Sequence, residues 1–293
     1  MYEEHFQFSE APFSLTPDTQ FFLNQNTHKS ALNTILVALK HCEGFIKIVG
    51  EVGTGKTMLS RILMARLSQD FVTAYIPNPY LTPEELKFFV AQEVGASFDK
   101  SMAAHELMSS LYRRLVQLCR SGKQVVVIID EAQAMPRDTV ECLRLLTNLE
   151  TEKRKLLQVV MLGQPELDKL LARPDLRQLK QRIVFSEYIK PLDKSATAAY
   201  IHHRLSAVSD GTSPIFSSGA ISLIYHASGG TPRLINILCH KSLIAAYGRA
   251  HKRVSVWHAA RAVCDTPECR WLTTRLAKCL ALESLSPRRG LAA

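Results

Sequence analysis

Apolar residues run along this chain in two rhythms. In residues 28–39, Ala31, Leu32, Ile35, Leu36 and Leu39 recur at spacings of three and four, which predicts a helix with one buried face. A short apolar run, Phe45-Ile46-Lys47-Ile48-Val49, then ends on Gly50, the pattern of a buried strand feeding a glycine-rich loop. Helical spacing resumes at Leu59, Ile62, Leu63 and Leu67, and Ala74-Tyr75-Ile76 predicts a second strand. Thr82-Pro83-Glu84-Glu85 has a capping threonine, a proline at the first helical position and acids in the first turn, so a helix starts there. Another helix is expected over residues 103–119. Residues 123–129 and 156–163 are further apolar strands. Strands alternating with helices predict an α/β domain, a parallel sheet with helices on both faces in three layers.

Beyond Pro191 the strand-like runs stop. Helical segments follow one another at residues 196–208, 217–227, 232–247 and 256–264, which predicts a small all-helical lid domain. The expected division is 1–190 for the sheet domain with its N-terminal lead-in, 191–265 for the helical domain, and 266–293 for a tail with a last helix around 271–285. The lead-in, Ala11-Pro12-Phe13-Ser14-Leu15-Thr16-Pro17-Asp18, reads as an extended stretch and a turn.

At 293 residues, with 46% hydrophobic and 22% charged, the chain is long enough for two domains and apolar enough to bury a full core, which excludes a disordered chain. Its apolar runs, such as Val125 to Ile129, fall well short of the roughly 20 residues that span a bilayer. The start, Met1-Tyr2-Glu3-Glu4-His5-Phe6, lacks the basic and apolar regions of a secretory signal. The expectation is a cytoplasmic protein with no transmembrane segment. Seven cysteines, an odd number with no CxxC pair, argue against a disulfide framework or a zinc ribbon. The formal charge of +9 and a pI near 9.2 suit an anionic partner, whether nucleotide, nucleic acid or membrane surface.

The chemistry concentrates in Gly50-Glu51-Val52-Gly53-Thr54-Gly55-Lys56-Thr57, followed by Met58. This meets every position of the phosphate-binding P-loop pattern and lies between a predicted strand and a predicted helix. Glycines let backbone amides wrap the phosphates at a helix N-terminus. Lys56 would reach the β- and γ-phosphates of ATP, and the Thr57 hydroxyl would ligate Mg2+. Asp130 and Glu131 follow the apolar strand Val125 to Ile129, with Asp130 expected to hold the metal and Glu131 to act as general base on the attacking water. Gln164, after the strand ending at Gly163, comes near the γ-phosphate if that strand lies between the other two; otherwise it is a polar group in a turn. Arg177 and Arg182 suit action on a neighbouring subunit's ATP, because a guanidinium fork matches phosphoryl oxygens, and they equally suit a solvent-facing helix. Arg233, in Gly229-Gly230-Thr231-Pro232-Arg233, either opens a capped helix or touches the γ-phosphate from the helical domain.

These elements, in this order, resemble an AAA+ ATPase, and more narrowly the secretion ATPase family typified by general secretion pathway protein A and ExeA. The narrower resemblance rests on Pro12-Phe13-Ser14-Leu15-Thr16-Pro17-Asp18, the P-loop, Ile129-Asp130-Glu131-Ala132-Gln133, Leu162-Gly163-Gln164-Pro165-Glu166-Leu167, the stretch from Arg177 to Ile183, and Gly230-x-Pro232-Arg233-Leu234-Ile235-Asn236. Larger members add a transmembrane helix and a peptidoglycan-binding region; the shorter form here is most similar to the MshM branch, ATPases of mannose-sensitive haemagglutinin (MSHA) type IV pilus biogenesis. The resemblance implies ATP and Mg2+ as cofactors and a homo-oligomer, dimer to hexamer, with an arginine finger in trans. It also implies inner-membrane pilus or secretion assembly proteins as partners, which would place the protein peripherally at that membrane. A DNA-bound regulator similar to transposition target-selection ATPases is the alternative, less favoured because no helix-turn-helix follows the helical domain.

Overall fold

The computed structural model describes residues 2–16, 26–41, 44–67, 69–99, 102–152, 154–209, 214–269 and Ala277. The expected last helix at 271–285 and the residues Pro17 and Asp18 lie outside these, apart from Ala277. The described residues fall into two compact units. One comprises residues 26–52 and 56–190, the other residues 1–25, 53–55 and 191–293.

The first unit is built on five parallel strands, β1 (Phe45–Gly50), β2 (Phe71–Ile76), β3 (Gln124–Ile129), β4 (Leu157–Gly163) and β5 (Ile183–Ile189), in the order β2-β3-β4-β1-β5. Strand β4 therefore separates β1 from β3, the condition on which the placement of Gln164 depended. Successive strand residues face opposite sides, and both sides are covered. Phe45, Val49, Val125, Val127, Ile129, Val159 and Met161 join one continuous core with α4 (Pro83–Glu93), α5 (Ala104–Arg120) and α6 (Arg137–Leu146). Ile46, Ile48, Val126, Ile128, Val160 and Leu162 are equally buried on the other side, where α2 (Asn26–Lys40) and α3 (Lys56–Arg66) pack. Burial on both faces explains why these strands read as unbroken apolar runs. Helix α4 begins where the sequence placed it, with Thr82 and Glu85 forming a reciprocal capping box.

Strand β5 was not expected. Its residues alternate in burial, as Ile-Val-Phe-Ser-Glu-Tyr-Ile at the sheet edge, so no apolar run marks it. Its β-branched and aromatic residues at period two were the available signal. Helix α6 and the short α7 (Glu166–Leu171) were likewise not anticipated, whereas α8 (Arg177–Lys180) gives Arg177 the helix that was one of its two readings.

The second unit is helical: α9 (Lys194–Ser206), α10 (Ser218–Ser228), α11 (Pro232–Tyr247) and α12 (Val256–Cys264), close to the four expected segments. The lead-in needs a correction, since it was grouped with 1–190. Its residues include a short helix, α1 (Tyr2–Phe6), and Tyr2, Phe6, Phe8 and Phe13 are buried in the helical unit's core beside Ile201, Phe216 and Leu238. Each such ring contributes about 1.5–3 kcal/mol on burial, which outweighs any preference of the segment for the chain next to it. The buried guanidinium of Arg204 fixes the lead-in further, its Nη1 donating to the carbonyls of Pro12 and Ser14, both at 3.1 Å. Among the described residues no helix is long and apolar enough to cross a membrane.

Candidate functional site

The site forms at the C-terminal ends of β1, β3 and β4, where open parallel sheets bind their ligands. Strand β1 ends on Gly50, and the loop to α3 turns through Gly53 at φ +78° and Gly55 at φ +96°, a left-handed path that glycine takes without strain. Lys56, the first residue of α3, is only 4% exposed. Its Nζ donates to Gly50 O at 2.8 Å and to Glu51 O at 3.0 Å. An ammonium has three donors, so these carbonyls occupy two of them. Burial lowers the Lys56 pKa, while the charges of Glu131, Asp130, Glu51 and Glu166 pull it back up. A cation desolvated among carboxylates suits a polyanionic ligand that would complete its coordination.

The rest of the loop is laid out as follows. Thr54 is buried, Gly53 and Gly55 are half-buried, and Glu51 and Val52 are exposed. Thr57 and Met58 are half-buried in the first turn of α3. Tyr188 on β5 donates its hydroxyl to Glu51 Oε1 at 3.3 Å, a flank of the loop that the sequence did not reveal.

Across β4, the end of β3 delivers Asp130 and Glu131. Asp130 is 3% exposed, its Oδ1 accepts from the Glu131 amide at 2.9 Å, and the Tyr75 hydroxyl lies 3.5 Å from Oδ2. Glu131 takes a left-handed conformation, φ +50° and ψ +37°, which a residue with a Cβ adopts only at a cost and which collects at functional sites. The turn aims its carboxylate at two amides. Gln133 Nε2 donates to Glu131 Oε2 at 2.6 Å, and Gln164 Nε2 donates to the same oxygen at 2.9 Å. Gln133 Oε1 in turn accepts from the Gln164 backbone amide at 2.9 Å.

Gln133 is the residue that sequence reasoning missed. It was read only as part of a motif, and its spacing two residues beyond Glu131 was the one signal. Gly163 makes the closure feasible, because a Cβ there would stand 2.8 Å from the Leu167 side chain and 3.1 Å from Gln133 Oε1.

The three arginines part company. Arg182 is half-buried, with Nη1 3.3 Å from both Arg144 O and Thr147 Oγ1, so it ties the end of α6 to the start of β5. Arg177 is exposed at the start of α8. Arg233 is exposed in the first turn of α11, and its backbone amide donates to Gly53 O at 3.2 Å. Lys56 thus stands after β1 and the Glu131 cluster after β3 and β4, with β4 next to β1, while the arginines lie on other elements.

Comparison with known proteins agrees with this geometry. A family described as AAA domain matches residues 40–171. General secretion pathway protein A of Aeromonas hydrophila is 41% identical over 254 residues, which is 87% of this chain and 46% of that protein. The chain carries an AAA domain and is a homologue of general secretion pathway protein A. It spans about half the length of that curated relative. Solved structures share the fold. The Aeropyrum pernix ORC2 protein, seen in ADPNP-ADP complexes, matches with a TM-score of 0.66 at 16% identity over 88% of this chain and 72% of its own. Cdc6p from Pyrobaculum aerophilum matches with a TM-score of 0.63 at 17% identity over 89% and 71%. The expected AAA+ fold and family therefore hold.

Proposed function

We propose that this protein is a Mg2+-dependent ATPase that drives a step in building a type IV pilus, of the MSHA kind served by the MshM branch, or a type II secretion machine. The observation that carries the reading is the pairing of buried Lys56 with Glu131, whose Oε2 is held by Gln133 and Gln164. The curated relative is itself named for the general secretion pathway, which supports the assembly role.

In this reading the P-loop from Gly50 to Met58 wraps the phosphates of ATP, and Lys56 places its third donor on them. Thr57 and Asp130 would hold Mg2+, which when bound neutralises charge on the β- and γ-oxygens. Glu131 accepts a proton from the attacking water through the oxygen that the two amides leave free, an effect worth roughly 10²–10⁴ in rate. Arg177 acts on a neighbouring subunit's nucleotide. Arg233 reads the γ-phosphate from the helical unit, so that lid position follows the nucleotide state. The working form is a homo-oligomer between dimer and hexamer, cytoplasmic and held at the inner membrane by its assembly partners.

Steady-state ATP hydrolysis measured against protein concentration tests this. Specific activity should rise with concentration, require Mg2+, disappear in Lys56→Ala and Glu131→Gln, and ignore duplex DNA. Absence of turnover at every concentration would overturn the ATPase reading, and strong stimulation by DNA would move the assignment to the alternative, a DNA-bound regulator.

A further inference from the structure

Charge is divided unequally along the chain. Residues 191–293 carry 13 Lys and Arg against 5 Asp and Glu, a net of +8, whereas residues 1–190 carry 23 against 22, a net of +1. Almost the whole basic excess therefore lies in the C-terminal third of the sequence. Within it, no Asp or Glu occurs between Ile244 and Cys264. That stretch holds the corner joining α11 to α12, where Arg249, Lys252 and Arg253 are all exposed.

Apolar groups stand in the same corner. Ile244 is 47% exposed and Tyr247 is 37% exposed, three residues apart and so on one face at the end of α11. The corner is held in shape rather than left loose. The Arg249 guanidinium lies 3.7 Å from the centre of the Trp257 ring, and Ala250 takes a left-handed φ of +55°. The His5 ring packs edge-on against Tyr247 at 5.4 Å, Lys252 Nζ donates to His5 O, and His5 Nε2 donates to His251 O at 3.1 Å. The acids closest in sequence to His5 are Glu3 and Glu4 on α1, which leave the corner net positive.

We propose that this corner, Ile244, Tyr247, Arg249, Lys252 and Arg253, is a contact face for an anionic phospholipid bilayer. Cations beside an exposed isoleucine and tyrosine match the interface of such a membrane, which offers phosphate charge to the first and an acyl boundary to the second. A nucleic acid would take the cations and leave the isoleucine in water. The face would let the protein meet the membrane directly, in addition to any protein partner. It requires neither nucleotide nor hydrolysis, so it stands or falls separately from the ATPase reading.

The test is co-sedimentation of the full chain, without nucleotide, with vesicles of phosphatidylcholine alone or mixed with phosphatidylglycerol. Binding should need phosphatidylglycerol and weaken at high salt. The double variant Lys252→Glu with Arg253→Glu should lose more than about tenfold in affinity, since each basic residue near an anionic surface is worth about fivefold. Ile244→Ser should lose several-fold while melting like the parent. No binding to phosphatidylglycerol vesicles at low salt would overturn the proposal. So would full binding by the charge-reversed variant, or retention of duplex DNA without vesicle binding, which would make the corner a nucleic-acid surface.

Discussion

Gln164 donates its side-chain amide to Glu131 Oε2 at 2.9 Å, and it does so from the strand lying between the one that ends at Lys56's loop and the one that ends at Glu131. Gln133 closes the same triangle. Hydrogen bonds to a charged group are worth about 1.5–3 kcal/mol, or about tenfold and more in rate when the group must sit in one geometry. Gln133→Ala should therefore lower kcat by roughly tenfold and leave ATP affinity nearly unchanged. Because both amides serve one oxygen, the Gln133→Ala, Gln164→Ala double variant should fall short of the product of the singles. Single-turnover kinetics with a fluorescent nucleotide would check both points; a parallel loss of affinity would show that Gln133 shapes the pocket instead of the base.

A second prediction concerns the backbone of the helical unit. Gly230 has φ +79°, and a Cβ built on it would lie 1.8 Å from Leu192 O, while Gly230 O accepts from the Leu192 amide at 2.9 Å. Neither strand of this contact is a flexible side chain. Gly230→Ala should destabilise the unit by about 3 kcal/mol or more, seen as a lowered urea midpoint. Gly248→Ala should be mild by comparison, since its nearest neighbour to an added Cβ is 3.6 Å away.

Such close approaches mark the limit of what the sequence discloses. The P-loop, Asp130 and Glu131 were legible because strand, loop and helix periodicities bracket them and each residue type has one chemical use there. Helices α11 and α12 were legible because strand-like runs stop beyond Pro191 and helix-like segments follow one another there. Gln133 was not, because an amide two residues beyond a carboxylate has no meaning until β4 brings Gln164 alongside. Strand β5 was hidden by its edge position, where burial alternates. The lead-in was misassigned because Phe6, Phe8 and Phe13 find their core about 200 residues away in the chain, a long-range contact that local pattern does not encode.

A pH dependence follows from His258. The Ser255 amide donates to its Nδ1 at 2.9 Å, so the ring proton sits on Nε2 and is given to His251 Nδ1, 3.0 Å away. Protonating His258 would put a proton where the Ser255 amide already points. Burial, then the nearby His251 and Arg249, push its pKa below the usual 6.5. The unfolded chain thus binds the proton more readily, and stability falls as pH drops from above 6.5 through the folded-state value. Thermal melts between pH 7 and 5 should show a steeper loss in the parent than in His258→Gln, which keeps an acceptor for the helix cap without titrating. Equal slopes would exclude this histidine as the cause.

The arginines give the last separation. Arg182 is committed within its own chain, bonded at 3.3 Å to Arg144 O and Thr147 Oγ1, so Arg182→Ala should cost about 1 kcal/mol of stability and lower the melting temperature by a few degrees. Arg177 is exposed and should leave the melt unchanged when replaced by alanine, while ATP turnover drops by 10³ or so if it serves as the finger. Action in trans has a further signature. Arg177→Ala keeps an intact nucleotide site but lacks the group for its neighbour, whereas Lys56→Ala keeps the arginine and lacks the site. Each variant alone should be inactive, and mixing the two should restore part of the activity, because one class of subunit contact then joins a good site to a good arginine. If mixing restores nothing and Arg177→Ala alone turns over normally, Arg177 is a surface residue and the finger must be sought elsewhere in the chain.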